Sequence, residues 1–328
     1  MTKTLYDTAA GSATQIKKKL MNLAIVTLNV RNSSPNNLEN LTDPISERPN
    51  GTFRRRCAWR NRRDLLVKTL LSTDADVIGL QEVLSDQFDF LSSSLGRQFD
   101  LVGVGRDDGK CEGEYAPIAF RKEKFECIEW GTFWLSENPD IVGSRYPGAC
   151  CVRICTWVRL KPHQHSHEGD RSACPHIIVA NAHLDHKSEK ARTFGCQVID
   201  DNIRRIMKEG EVVILVGDFN FQSAGEEGYG MLLSSTNSAS LLPRWRDSFV
   251  DIKGQKVSPA EVERNGVTFH DFGRSSGQRI DFIFYLPLNG YVEIQTLESN
   301  VDKDGEDGET CFVSDHYLLA SKFSIEHI

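Results

Sequence analysis

Four stretches of the chain run apolar and then stop abruptly on a polar side chain: residues 23–29 on Asn29, 76–82 on Glu82, 177–183 on His183 and 212–218 on Asp218. Short runs without polar alternation, rich in β-branched residues, predict strands buried on both faces. Their polar tips carry chemical information. In open α/β sheets ligands collect at the carboxyl ends of strands. An ionised carboxylate closing a core strand is costly unless it is paired or holds a metal.

Helices join these strands in pairs. Asn61 is a candidate N-cap with Asp64 in the first turn, and Leu66, Val67, Leu70 and Leu71 give one apolar face ahead of the strand ending at Glu82. A second helix spans residues 188–208 with Val198, Ile199, Ile203 and Ile206 inward, and leads to the strand ending at Asp218. Strand, polar tip, helix, strand, acidic tip therefore occurs twice, without visible sequence identity between the halves. Residues 115–121, 125–135 and 151–160 alternate or run apolar like antiparallel strands. Two further runs, Arg279-Ile280-Asp281-Phe282-Ile283-Phe284-Tyr285 and Val313-Ser314-Asp315-His316-Tyr317-Leu318-Leu319, set polar groups against a strand. Residues 1–20 are polar and aperiodic and read as a mobile tail, leaving one domain over 21–328 with no internal linker. The long polar loop after the first strand, to about Gly51, has a length more often functional than idle.

Composition narrows the function classes. The 328 residues carry a formal net charge of -7, which argues against nucleic-acid binding through a general basic surface but leaves room for a focused basic site. Nine cysteines with no CxxC pair read as free thiols in a reducing compartment, cytoplasmic or nuclear. No apolar run approaches the roughly 18 residues needed to cross a bilayer, and residues 23–28 are a poor signal peptide. No obligate protein partner is evident. Asn32, Asn40 and Asn50 fit the glycosylation pattern, which matters only in a secreted chain.

Glu82, Asp218, Asp281 and Asp315 all lie at strand boundaries. Any one of them alone reads as a helix cap or a surface acid. If they converge they need a cation, because two carboxylates 4 Å apart repel by roughly 4 kcal/mol at an effective dielectric of 20. Carboxylate and amide oxygens are hard donors suited to Mg²⁺ or Mn²⁺. Asn29, His183, Asn220 and His316 occupy the same kind of strand tip and add donors suited to a phosphate. Asp281 can orient the His316 imidazole and raise its pKa.

The segments Leu28-Asn29-Val30, Leu80-Gln81-Glu82, Asn181-Ala182-His183-Leu184, Gly217-Asp218-Phe219-Asn220, Arg279-Ile280-Asp281 and Ser314-Asp315-His316 resemble, in order, the motifs of the endonuclease/exonuclease/phosphatase superfamily, which includes deoxyribonuclease I. The resemblance spans residues 21–323. Segments 104–109, 131–136 and 182–186 are most similar to a bacterial and fungal branch with poorly defined substrates. It implies a four-layer α/β sandwich, two packed mixed β-sheets flanked by helices. It also implies Glu82 as the main ligand of Mg²⁺ or Mn²⁺, with Asp315 and Asn29 in support. Asp218 would activate water, Asn220 would position the phosphate, and His316 (paired to Asp281) and His183 would donate to phosphoryl oxygens. Arg31 stands where apurinic-site endonucleases carry an acidic ligand, so the resemblance does not extend to a second metal there, whereas deoxyribonuclease I is similar in having an Arg that faces phosphate.

Arg54, Arg55, Arg56, Arg60, Arg62 and Arg63 crowd around Trp59, either as a site for a phosphate-rich ligand or as a solvated basic face. With Arg31, His186 and Arg192, Arg62 is the candidate set for substrate phosphate. Residues 302–307 fail the calcium-loop spacing, residues 102–105 lack the third glycine of a dinucleotide fingerprint, and no Gly-X-Ser-X-Gly or His-Glu-X-X-His motif is present. The reading is a metal-dependent phosphoesterase, first a nuclease on RNA or DNA, second a small-molecule phosphatase or nucleotide hydrolase. A sphingomyelinase lacks a membrane-binding segment here, and an inositol phosphatase lacks its Trp-Cys-Asp-Arg run. From another class, a silent binding protein would keep the fold without turnover.

Overall fold

The structure is a computed structural model that describes residues 17–34, 58–163, 174–223, 225–234, 243–254, 258–302 and 312–328. Most of the N-terminal tail, the loop over 35–57 with Arg54, Arg55 and Arg56, and the acidic residues at 304–307 lie outside the described residues. The chain first lays down β1 (Lys18–Asn29), β2 (Val77–Gln81), β3 (Phe99–Val102) and β4 (Ile118–Arg121). It then builds a complete second sheet from β5 (Phe125–Trp134), β6 (Ile154–Pro162), β7 (Ile177–His183), β8 (Val212–Asp218), β9 (Arg246–Asp247) and β10 (Asp281–Tyr285). Finally β11 (Leu288–Asn289), β12 (Val292–Asp302) and β13 (Leu318–His327) return to the first sheet. The sheet orders are β11-β12-β13-β1-β2-β4-β3 and β5-β6-β7-β8-β10-β9.

Both sheets are mixed, and each has one parallel pair at its centre: β1 with β2, and β7 with β8. Parallel neighbours require a crossover, here the helices α1 (Trp59–Ser72), ahead of α2 (Ser85–Leu95), and α3 (Glu189–Ile206), ahead of α4 (Glu227–Leu233). Alternate residues of a strand serve different layers. Ile25 and Val77 from one sheet meet Val179, Ile214 and Val216 from the other in the core between them. Val26, Leu28, Ile78 and Leu80 turn outward against Leu66, Leu70, Leu91 and Leu95. Ile178, Ala180, Val213 and Leu215 turn outward against Val198, Ile199 and Ile203. The result is helix, sheet, sheet, helix, which is why these strands show no polar alternation. Gly79 serves this packing, because a Cβ there would come within 2.4 Å of Val216.

A polar clasp crosses the apolar interface just below the strand tips. Asn181 donates from Nδ2 to the carbonyls of Leu80 (2.7 Å) and Pro117 (2.9 Å), and Gln81 Nε2 donates to Asn181 Oδ1 and Thr27 Oγ1. These groups are fully buried, so their hydrogen bonds across the interface favour one alignment of the two sheets.

Two boundaries differ from the sequence expectation. The first strand begins at Lys18, since Lys18 and Lys19 pair with His327 and Glu326 of β13; backbone pairing recruits polar residues that carry no apolar signal. Helix α1 begins at Trp59 after Ala58, which makes no side-chain cap, and Asn61 lies inside it. Helix α2, which has weak apolar periodicity, is closed at its start by Gln87 accepting from the Leu84 amide at 3.0 Å.

Candidate active site

Strand register sets the site before any side chain is placed. His183 of β7 lies beside Asp218 of β8, and Asp281 of β10 lies on Asp218's other side. In the other sheet Asn29 pairs with Gln81, so Glu82 emerges one residue beyond β2. The Asn29 amide links the sheets, donating from Nδ2 to Glu82 Oε1 (3.0 Å) and to Asp218 Oδ2 (2.9 Å).

The chain turns sharply at each tip. Arg31, Glu82 and Asn220 take φ of 57°, 59° and 52°, left-handed values that non-glycine residues rarely adopt. Asp271 and Phe272, the other described non-glycine residues with positive φ, follow His270, and the His270 and Asp271 amides donate to the Asp315 carbonyl. Each such residue stores about 1–3 kcal/mol of strain, which a fold keeps where it must aim a side chain. Gly217 serves a different need: a Cβ there would meet the Ala182 carbonyl at 1.9 Å, so only glycine lets β8 deliver Asp218 beside β7.

Asp218 is the hub. Its Oδ1 accepts from the Asn220 amide at 3.0 Å, and its Oδ2 faces His183 Nε2 at 3.5 Å and His316 Nε2 at 3.9 Å. His316 Nδ1 lies 2.7 Å from Asp281 Oδ2. Burial, then the charge of Asp281, pushes the Asp218 carboxyl up to about 7. Burial works against charge on His316, yet Asp281, by charge and hydrogen bond, and Asp218 raise it to about 10, so it is an imidazolium at neutral pH. Burial, followed by Arg153 and Arg106, holds His183 well below the ordinary histidine value. One histidine is therefore a charged donor and the other neutral.

Glu82 is the opposite of Asp218. Burial alone would raise it, but Arg31, the Asn29 hydrogen bond, His316 and the Asn32 amide together hold it below the usual carboxylate range. Asn32 supplies both its backbone N–H and Nδ2 to Glu82 Oε2, at 3.2 and 3.0 Å. Arg31 sits between the two carboxylates assigned to metal, 3.6 Å from Glu82 and 3.5 Å from Asp315. Ser314 anchors that corner by donating to the Asn29 carbonyl at 2.5 Å.

Glu114 joins the cluster without having been read from sequence. Its Oε1 accepts from Asn32 Nδ2 at 3.1 Å, and its Oε2 lies 2.5 Å from Arg106, 3.8 Å from His183 and 3.9 Å from Arg153. Burial, then the charge of Glu82, raises its pKa. It stands in an irregular segment with no apolar run before it, so no strand-tip pattern marked it.

Two arginines assigned to substrate phosphate do other work. Arg62 is 1% exposed, and its guanidinium donates to the carbonyls of Val30, Val313 (2.8 Å) and Arg31 (2.6 Å). Arg192 is buried in a two-pronged pair with Glu226 at 2.8 and 2.6 Å, its third nitrogen on the Asp185 carbonyl. A helical signal existed for both: Arg62 lies four residues before Leu66, and Arg192 four before Cys196, so each sits on the buried stripe of its helix. His186 is exposed and turned toward Cys150 and Arg153. Asn220 donates from Nδ2 to the Leu184 carbonyl at 3.1 Å, leaving its second amide hydrogen for another acceptor.

Comparison with known proteins shows the family of the chain. The profile of the Endonuclease/Exonuclease/phosphatase family matches residues 26–316, from within β1 to His316. The chain belongs to that family. Family resemblance extends to solved structures. The endonuclease/exonuclease/phosphatase from Bacteroides vulgatus is 30% identical, with 93% of this chain and 99% of that one covered at a TM-score of 0.71. A family protein from Bacteroides thetaiotaomicron is 24% identical over 93% and 98% of the two chains, TM-score 0.69. The human Nocturnin catalytic domain shares the fold at 16% identity, covering 94% and 96%, TM-score 0.64. Among curated proteins none matches this sequence. No helix among the described residues is long and apolar enough to cross a membrane.

Proposed function

We propose that the protein is a Mg²⁺- or Mn²⁺-dependent phosphoesterase in which a water molecule attacks the phosphorus of a bound ester. The observation that carries this reading is the geometry at Asp218, which accepts from Asn29 and Asn220 and lies 3.5 Å from His183 Nε2 and 3.9 Å from the Nε2 of His316, itself paired to Asp281. A carboxylate held in that way is placed to take a proton from water. His316 Nε2–H, 3.9 Å from Asp218, and the second amide hydrogen of Asn220 serve as donors for phosphoryl oxygen. Asp281 keeps His316 charged and oriented. As the water oxygen bonds to phosphorus, its proton passes to Asp218 and the ester oxygen departs from the opposite side.

The donors fit a hard divalent cation. Glu82 is held ionised, Asn29 hydrogen-bonds to it and Asp315 lies across Arg31 from it, and a cation there would lower the raised Asp218 carboxyl as well. When bound, the metal supplies charge neutralisation for the attacked phosphate. Arg31 already bridges Glu82 and Asp315, which supports a single ion on the Glu82 side rather than a pair.

The arginines support a reading of the substrate class. With Arg62 and Arg192 committed inside the fold, two contacts expected for a polynucleotide backbone are gone, and this favours a small phosphate ester over RNA or DNA. A panel of single-stranded RNA, duplex DNA, dinucleotides, inositol phosphates and sphingomyelin, with Mg²⁺ and Mn²⁺, tests both levels. Turnover is expected on a small ester with a shallow dependence on salt; a steep fall with salt on RNA or DNA reverses the preference. Turnover that persists in EDTA ends the metal mechanism. Absence of any metal binding at Glu82 would instead favour the silent binding protein.

A further inference from the structure

A second group of ligand-type side chains lies apart from the strand tips. Cys150 and Cys151 come from the loop before β6, and His186 from the turn after β7. The two Sγ atoms are 3.4 Å apart, Cys150 Sγ is 3.3 Å from His186 Nδ1, and one ligand atom from each residue lies within 4.8 Å of the others. We propose that Cys150, Cys151 and His186 form a Zn²⁺ site separate from the hard-cation site.

The donor set decides the metal class. Two sulfurs and an imidazole nitrogen suit a borderline-soft ion and are poor ligands for Mg²⁺. Tetrahedral zinc, with Zn–S near 2.3 Å and Zn–N near 2.0 Å, separates its ligands by about 3.8 Å (S to S) and about 3.5 Å (S to N). The observed 3.4 and 3.3 Å are therefore within a few tenths of an ångström of a bound geometry. His186 is exposed, which gives an ion a path in and leaves a fourth position for water.

Two neighbours pre-organise the group. Asp185 is buried and accepts from the Cys150 amide at 2.7 Å, and from the Lys187 and Ser188 amides at 2.9 and 2.8 Å. One carboxylate thus ties the loop carrying the thiols to the turn carrying the imidazole. Arg153, itself buried, points Nη2 at His186 Nδ1 at 3.1 Å. An arginine can only donate, so Nδ1 bears a lone pair and faces the sulfurs in the form that binds metal. An ion at Nδ1 would take the place of Arg153, whose Nη1 lies 3.9 Å from Glu114 beside His183, and so would be felt near Asp218.

The test is an anaerobic titration of reduced full-length protein with Co²⁺, followed by Zn²⁺. One equivalent of Co²⁺ is expected to give a thiolate-to-cobalt charge-transfer band, which carboxylates and imidazoles at the strand tips cannot produce, and Zn²⁺ should abolish it. The band should survive in Asp218→Asn and vanish in the Cys150→Ser/Cys151→Ser double variant. His186→Asn, at an exposed position, should weaken Co²⁺ binding by about tenfold to a hundredfold. Co²⁺ binding without the band overturns the proposal, as does a band that persists in the double variant. If the double variant does not fold, unchanged affinity in His186→Asn overturns it alone.

Discussion

The unit β1–α1–β2 in one sheet and the unit β7–α3–β8 in the other share topology, helix placement and polar tips, yet their carboxylates behave oppositely. Glu82 sits among Arg31, Asn29 and Asn32, groups that favour its charge. Asp218 is equally buried but has the carboxylate of Asp281 for a strand neighbour, and its proton is held to about 7. Burial is common to both; the partners decide. A site that must both anchor a cation and accept a proton needs two carboxylates in different states, and the duplicated geometry supplies the positions while their unlike neighbours supply the states.

The contrast breaks most visibly at the carboxylates themselves. Asp218→Asn should lower kcat by about 10²- to 10⁴-fold with metal affinity retained, whereas Glu82→Gln should lose activity that returns as Mn²⁺ is raised. Stopped assays over a metal series distinguish them, and equal responses of the two variants would erase the division of labour. Asp281→Asn should come next. It removes a charge that raises both Asp218 and His316, so the acid and alkaline limbs of the pH profile should both move down.

The same variant bears on stability. His316 is raised from 6.5 to about 10 in the fold, so its pairing stabilises fully below 6.5 and is lost as pH rises through about 10. Urea midpoints should therefore show Asp281→Asn weaker by about 3 kcal/mol at pH 6, with the gap to the parent closing at alkaline pH. A gap that grew with pH would reverse the assigned charge on His316. Asn181→Ala, which removes the side-chain hydrogen bonds to the Leu80 and Pro117 carbonyls and the acceptor of Gln81 Nε2 between the sheets, should cost about 1–3 kcal/mol in thermal or urea unfolding and leave the pH limbs in place. The smallest effect is expected of Arg62→Lys, a modest loss of stability with unchanged KM; a raised KM would return Arg62 to the substrate.

Much of this was legible in the linear chain where apolar pattern and polar punctuation coincided. Unbroken runs such as 212–218 marked strands covered on both sides, and their abrupt ends marked Asp218 and His183. Glu114 was hidden because it belongs to an irregular segment and enters the cluster only through Asn32, Arg106 and His183. The partners of Arg62 and Arg192 were not legible from charge, since each lies on the apolar stripe of its helix and donates to carbonyls or to Glu226 inside the fold. The first strand extended to Lys18 because backbone pairing does not depend on side-chain polarity.

By itself the sequence determined the strands, the crossover helices and the residue types available at each tip, since these follow from local periodicity and from where an apolar run stops. Tertiary structure alone decided which carboxylate is charged, which histidine is protonated and where Arg31 points. Those properties depend on groups brought within a few ångströms from distant parts of the chain: Asn29 on Asp218, Asp281 on His316, Arg31 between Glu82 and Asp315. Electrostatics in a buried site is set by distance in space, and the chain order does not carry it.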